Sequence, residues 1–274
     1  MKGFLMSKYR FLILRRISQI GIFSLFILAH VKGLNLLKGN LSSSLILDTL
    51  PLADPYAVVQ MFCAGAVLGV DILLGALIVV LFYMIFGGRA FCSWVCPINL
   101  ISDAAGFMRK ILQLKDQKYI KLNRNFRYYI LALSLIVSFI LGYGAFEIIS
   151  PIGIFSRQII FGIGLGSSVV LCIFLFDMFI LKHGWCGHVC PLGAFYSLIG
   201  QFSIFRVRYD NDKCTKCMKC KWVCPEVDVL SMVTKQSSLV YGKECSNCAR
   251  CIEVCDDDAL SFSLKKLGEK NVKK

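Results

Sequence analysis

Eight cysteines near the C-terminus dictate what that part of the chain can fold around. Cys214, Cys217, Cys220 and Cys224 are spaced C-x2-C-x2-C-x3-C and followed by Pro225. Cys245, Cys248, Cys251 and Cys255 repeat the spacing, with Asp256 in the proline's place. Three thiolates two residues apart wrap one corner of an iron–sulfur cubane, and a fourth, three residues on, reaches the neighbouring cubane. On that rule Cys214, Cys217, Cys220 and Cys255 hold one [4Fe-4S] cluster, and Cys245, Cys248, Cys251 and Cys224 hold the second. A zinc ribbon would need two C-x2-C pairs, not two triplets with a remote fourth ligand. The spacing therefore predicts an electron carrier, with a small α+β ferredoxin-like domain over residues 206–260 and a loose basic tail over 261–274. So short a domain buries little apolar surface, and its stability is expected to depend on its clusters.

Hydropathy places this domain at a membrane. The chain is 57% hydrophobic, with a mean hydropathy of +0.66. A helix of about 20 apolar residues spans a bilayer, and four stretches qualify, at about 17–37, 65–86, 128–148 and 160–181. The sequence thus predicts a mainly α membrane protein, with a four-helix membrane domain over residues 1–205. Basic residues orient it. The N-terminus carries Lys2, Lys8, Arg10, Arg15 and Arg16 and no acid. The second loop holds Arg89, Arg109, Lys110, Lys115, Lys118, Lys121, Arg124 and Arg127 against Asp103 and Asp116. Both termini and the ferredoxin segment are expected to face the cytoplasm of a multi-pass inner-membrane protein. The net charge of +14 then reflects topology and gives no reason to invoke nucleic acid. Arg15-Arg16 before an apolar run resembles an export signal, but an uncleaved first helix fits the flanks better.

The membrane half repeats itself. Cys92-Ser93-Trp94-Val95-Cys96-Pro97 and Cys186-Gly187-His188-Val189-Cys190-Pro191 match at an offset of 94 residues. Each follows the cytoplasmic end of a predicted span and precedes a moderately apolar stretch, 98–114 or 192–205, that can lie along the membrane surface. Two helices per unit return the chain to the same side, so the repeats run parallel, about an axis along the membrane normal. With both thiols of a motif at a helix start, they would share one face, a turn apart. Cys92, Cys96, Cys186 and Cys190 are therefore a candidate further site: a third metal centre, a soft-metal site or a redox dithiol. Cys63 and Cys172 match no motif and are expected to pack as small hydrophobes.

Taken together, the four apolar spans, the two C-x3-C-P motifs and the C-terminal double cysteine motif resemble the NapH family, the membrane ferredoxin-type subunits of periplasmic nitrate reductase systems. Other membrane ferredoxins share the C-x3-C-P plan. In nitrous-oxide-reductase regulators it follows a flavin-bearing domain, and in CcoG-type assembly proteins a further domain follows the clusters. The resemblance implies two [4Fe-4S] clusters and quinol as substrate. It also implies electron delivery through a ferredoxin-type partner resembling NapG towards a periplasmic nitrate reductase. The resemblance supplies no quinol ligand. Ionisable groups at membrane depth are expensive and therefore suspect. They are Asp71, His30 and, in the outer loop, Asp54, with Glu147 and Asp177 in the later spans. Lys213, Lys216, Lys219 and Lys221 would dock an acidic donor, offset a negative cluster or form a solvated face. Two other functions fit the same motifs: reduction and assembly of a copper site held by the C-x3-C-P thiols, or anchoring of a soluble ferredoxin at the membrane.

Overall fold

The computed structural model describes residues 9–32, 36–114, 122–162 and 166–265. Lys2, Lys8, Lys115, Lys118, Lys121 and residues 266–274 of the expected basic tail lie outside them; residues 261–264, expected to be loose, are instead part of a strand paired with Phe205–Tyr209. The chain forms two compact units. One comprises Met1–Ser18, Phe82–Val95 and Tyr196–Lys274, the other Gln19–Leu81 and Cys96–Phe195.

The protein is helical, and its helices are more interrupted than the apolar runs suggest. The first helix covers Arg10–Lys32, starting well before the expected 17, and Leu37–Gly39 is already a strand. The span expected at 65–86 begins at Val70, and a separate helix, Pro55–Cys63, precedes it. The span expected at 128–148 is Phe126–Leu141, followed by a short helix, Ala145–Ile149. The span expected at 160–181 divides into Pro151–Phe161 and Gly166–Leu175, continued by a π-helical turn, Phe176–Ile180. Two of the breaks share a cause. Gly142 (φ 72) and Gly162 (φ 71) are left-handed C-caps whose N–H groups bond Ser138 O and Gln158 O. Glycine takes this conformation without a Cβ penalty, and an apolar average does not register it. Among the described residues, one helix, Arg10–Val31, is long and apolar enough to cross a membrane. The apolar helices Val70–Phe86, Phe126–Leu141 and Gly166–Ile180 are shorter.

In the Gln19–Leu81 and Cys96–Phe195 unit, residues 37–53 form an antiparallel meander that periodicity did not announce. Leu37–Gly39 pairs with Ser43–Ile46, and that strand pairs with Leu50–Ala53. Asp54 then caps Pro55–Cys63 by accepting from the Tyr56 N–H at 3.2 Å. Some buried polar groups find partners across the helices. The Tyr56 hydroxyl bonds Ser134, and Gln60 Oε1 accepts the Phe146 N–H at 3.0 Å.

In the other unit a three-stranded sheet runs in the order Ser238–Leu239, Phe205–Tyr209, Leu260–Leu264. Val207 opposite Phe262 and Tyr209 opposite Leu260 set the register. Its inner face packs Val207, Tyr209, Val229, Leu230, Val233, Val240 and Leu260 around Cys220 and Cys251. Phe205 and Phe262 stack at 4.7 Å, and Phe11 meets Phe262 edge-on at 5.7 Å.

The two repeats exchange helices. An offset of 94 carries Tyr83 onto Asp177 and Ser102 onto Tyr196. In one unit Tyr83 packs edge-on against Tyr196 at 5.2 Å, and Phe91 stacks on Tyr196 at 4.9 Å. Gly88 lies so close to Tyr196 O and Gly200 N that any Cβ there would collide with backbone. In the other unit the counterpart of Tyr83, Asp177, accepts a hydrogen bond from Ser102, the counterpart of Tyr196. So each helix that follows a C-x3-C-P motif packs on the end of the other repeat's apolar helix.

Candidate iron–sulfur centres

The structure brings Cys224 to the cysteines of the second run and Cys255 near those of the first. Cys224, Cys245, Cys248 and Cys251 line one cavity, with Val207, Val229, Leu230 and Val240 completing its wall. Burial pushes the Cys224 thiol up to about 12, and the neighbouring thiolates of Cys248 and Cys245 add to this. Burial likewise raises Cys245 to about 11, with Cys248 adding. Burial also raises Cys220, and the thiolates acting on it are those of Cys255, Cys214 and Cys217. Cys224 thus stands with the second triplet and Cys255 with the first. Cys251 feels Cys220 as well as its own set, so the two groups adjoin. The short helices Lys219–Val223 and Arg250–Glu253, each starting on one of these triplets, pack against each other.

Thiols set against an apolar wall are a donor set that suits an iron–sulfur cluster. The backbone agrees. Lys216 (φ 61) and Met218 (φ 62) in one motif, and Asn247 (φ 47) and Ala249 (φ 60) at the matched positions of the other, are left-handed. Each such non-glycine residue costs roughly 1–2 kcal/mol. Backbone turns of this kind can form a nest suited to an anionic centre. The Lys216 N–H reaches Cys214 Sγ at 3.3 Å.

Long-range contacts hold the second motif in place. Arg89, 3% exposed, donates to Glu226 Oε1 at 2.9 Å, to Glu244 Oε2 at 3.2 Å and to Glu244 O at 2.8 Å. It thereby ties the residues just after Cys224 to the one just before Cys245. Asn247 Nδ2 donates to Phe86 O at 2.8 Å and Phe205 O at 2.9 Å, and Trp94 Nε1 donates to Asn247 O at 3.1 Å. Neither Arg89 nor Asn247 stood out in the sequence, because nothing local distinguishes them from other polar residues.

The C-x3-C-P motifs depart from expectation. Cys92 lies in the short helix Ala90–Trp94, while Cys96 is the N-cap of the next helix, at φ −66 and ψ 124. Cys186 lies in a π-helical turn, Trp185–Val189, and Cys190 follows at φ −66 and ψ 112. The two thiols of a motif therefore do not share one helix face. The following proline forces the second cysteine into extended backbone. Cys96, Cys186 and Cys190 belong to one compact unit, near enough for Cys96 and Cys190 to act on the Cys186 thiol. Burial raises the Cys186 thiol well above its ordinary value, and Asp177, Cys96 and Cys190 add to this. Cys92 belongs to the other compact unit. Cys63 is half-buried, and Cys172 is exposed where packing was expected.

Among the suspected ionisable groups the structure discriminates. Asp71 is exposed, Asp54 is a helix cap, and Glu147 bonds Ser42. His30 lines a cavity of about 240 Å3 with Phe26, Ala29, Lys38, Gly39 and Ile160. Asp177 is 1% exposed. It accepts from Ser102 Oγ and from the Trp185 N–H at 2.9 Å, and Ser102 Oγ lies 3.5 Å from Cys186 Sγ. Arg109 caps the same turn through Met178 O at 2.6 Å. Asp177 therefore holds the turn that presents Cys186. Asp177→Ala is expected to leave buried donors unmatched and cost about 1–3 kcal/mol. An unchanged unfolding temperature of the full chain in nanodiscs would contradict that role.

Comparison with known proteins agrees with both halves of this architecture. A 4Fe-4S binding domain model matches twice, at residues 68–115 and 163–209, one match on each C-x3-C-P repeat. A 4Fe-4S dicluster domain model matches residues 206–256. The chain is 41% identical to the ferredoxin-type protein NapH of Haemophilus influenzae, over 93% of this chain and 90% of that protein. It is 38% identical to the NapH of Escherichia coli, over 94% and 90%. It is also 38% identical to the methylamine utilization ferredoxin-type protein MauN of Methylorubrum extorquens, over 95% and 91%. No solved structure matches. This chain is a member of the ferredoxin-type NapH and MauN family of iron–sulfur electron-transfer proteins.

Proposed function

We propose that this protein is a membrane electron-transfer subunit that takes electrons from quinol and passes them, through a ferredoxin-type partner resembling NapG, towards a periplasmic nitrate reductase. The observation that carries the reading is the pair of crossed cysteine sets. Cys214, Cys217, Cys220 and Cys255 would hold one cluster, and Cys245, Cys248, Cys251 and Cys224 the other. Each [4Fe-4S] cluster, when bound, supplies a one-electron carrier. The nitrate system is favoured by the NapH relatives. The MauN relative, named for methylamine utilization, favours electron transfer in general.

In this reading the apolar runs make a four-helix membrane bundle built from two parallel repeats, with N- and C-termini in the cytoplasm. The interrupted helices are compatible with it, because broken helices are tolerated where neighbouring segments satisfy the freed backbone groups. Quinol oxidation also needs a proton acceptor beside an apolar pocket. Of the three leading candidates, His30 lines a cavity of about 240 Å3. Cys92, Cys96, Cys186 and Cys190 remain the candidate for a further centre, and Cys96, Cys186 and Cys190 lie in one compact unit.

The test is anaerobic iron and sulfide content, with EPR before and after adding a quinol. About eight irons reducible by quinol is the expected result, and about twelve would add a centre at the C-x3-C-P thiols. His30→Ala should slow reduction by quinol and leave reduction by dithionite intact. Clusters that quinol never reduces, even with the partner subunit present, would rule the quinol role out.

A further inference from the structure

Arg206 stands in the strand Phe205–Tyr209 and is 4% exposed. Its side chain bonds main-chain carbonyls. Nε donates to Ser203 O at 2.9 Å, and Nη2 donates to Gly200 O at 2.8 Å and to Gln201 O at 2.9 Å. These three carbonyls belong to the end of the helix Pro191–Gly200 and the turn after it. Nη1 donates to Val240 O at 3.0 Å, and Val240 is a wall residue of the cavity lined by Cys224, Cys245, Cys248 and Cys251. Carbonyl dipoles orient and solvate a guanidinium, but they carry no net charge to cancel it. The group stays protonated at any pH the protein meets.

A buried charge needs a counter-charge. Among the described residues, none of the bonds of Arg206 is to a carboxylate. Burial lowers the guanidinium from its ordinary value, and Cys245, followed by Tyr241, opposes this. Tyr241 is a phenol and carries no charge near neutral pH, which leaves Cys245. The effect is mutual: burial raises the Cys245 thiol, and Arg206 pulls it back. The other cations near these cysteines differ. Arg89 also acts on Cys245, but Glu226 and Glu244 balance it. Arg250 lines the cavity and is half-buried, so water weakens its field. Lys219, beside the first cysteine run, is exposed and already paired with Asp256.

We propose that Arg206 is the counter-charge of the second cluster and holds its reduction potential up. This rests on the reading that Cys224, Cys245, Cys248 and Cys251 hold a cluster. Four thiolates around a [4Fe-4S] core leave a net negative charge, and reduction adds one electron and so one more. No proton moves at Arg206, and no bond to it forms or breaks. Net charge and solvent exposure are among the quantities that set a cluster's potential, and added charge is costly in a buried site. A fixed cation beside the site offsets part of that cost. It lets a buried centre accept an electron from a donor as mild as a quinol.

The experiment is an anaerobic redox titration, followed by EPR, of the full chain with its clusters in nanodiscs. The signal lost in Cys245→Ser identifies the second cluster. Arg206→Met should lower the reduction equilibrium constant of that cluster about tenfold, or about 59 mV for one electron, and leave the first cluster unchanged. Arg206→Lys keeps the charge and should titrate close to the wild type. A role confined to anchoring the helix end would affect both variants alike, because the ammonium of lysine cannot replace the fork of arginine. If Arg206→Met sheds the iron of the second cluster while Arg206→Lys retains it at the wild-type potential, the requirement for charge stands. An Arg206→Met protein whose second cluster titrates at or above the wild-type potential would overturn the proposal. So would an Arg206→Lys protein that shifts or loses that cluster as much as Arg206→Met does. A wild type with only about four irons, or with no signal lost in Cys245→Ser, would instead overturn the cluster reading.

Discussion

Replacing Cys224 with serine will remove the cluster of the other motif. Cys224 belongs by sequence to the first run, yet it lines a cavity with Cys245, Cys248 and Cys251. The thiolates acting on Cys220 are those of Cys255, Cys214 and Cys217. Cys224→Ser should therefore lose about four of about eight irons and keep the EPR signal of the cluster held by Cys214, Cys217 and Cys220. Cys255→Ser should do the converse. Pairs of substitutions make the test sharp. Cys224→Ser with Cys245→Ser should still lose about four irons, because both hit one centre. Cys224→Ser with Cys217→Ser should lose all of them. If the first pair loses all and the second only half, each motif holds its own cluster and the crossing is wrong. Partial retention of fold is expected in the single variants, since Val207, Tyr209, Leu230 and Val240 form a core beside the thiols.

The second large effect is expected at Arg89. Its side chain is 4% exposed and that of Glu226 is 5% exposed, so solvent does little to screen the pair. Removing one partner of a buried pair leaves an uncompensated charge and costs about 3–5 kcal/mol. Arg89→Met removes a charged partner from both Glu226 and Glu244. The residues on both sides of the second cluster's ligands then lose their anchor, so thermal unfolding should come earlier and the second cluster should be lost faster on dilution. Adding Glu226→Gln and Glu244→Gln removes the charges that Arg89 balances and should recover much of the stability, because a buried ion pair often contributes little net of its desolvation. An Arg89→Met protein with unchanged unfolding and iron content would show that the turn after Phe86 does not anchor the second motif.

How much of this was legible in the chain varies by element. The ligand sets follow a local spacing rule, and the C-x3-C-P repeat is visible as an offset. The helix breaks at Gly142 and Gly162 were present as residues but hidden inside apolar averages, which weigh transfer energy and ignore backbone conformation. The same averages put the first helix several residues too late. They passed over Phe11, which packs on Phe262 far along the chain, and Arg15, which is buried although charged. Asp177 was one suspect among five, and only its bonds to Ser102 and Trp185 separate it from the exposed Asp71.

Sequence by itself determined that this is an iron–sulfur protein whose apolar half is built twice, and its spacing proposes which thiols share a cubane. Spacing decides these matters because cluster ligation is a short-range geometric demand on a few adjacent residues. Tertiary structure alone decided what surrounds that chemistry. It joined Arg89 to Glu226 and Glu244, Asn247 to Phe86, and Ser102 to Asp177. Partners so far apart along the chain leave no periodic or spacing signal. They are selected only when the backbone has folded and each buried polar group has to find its match.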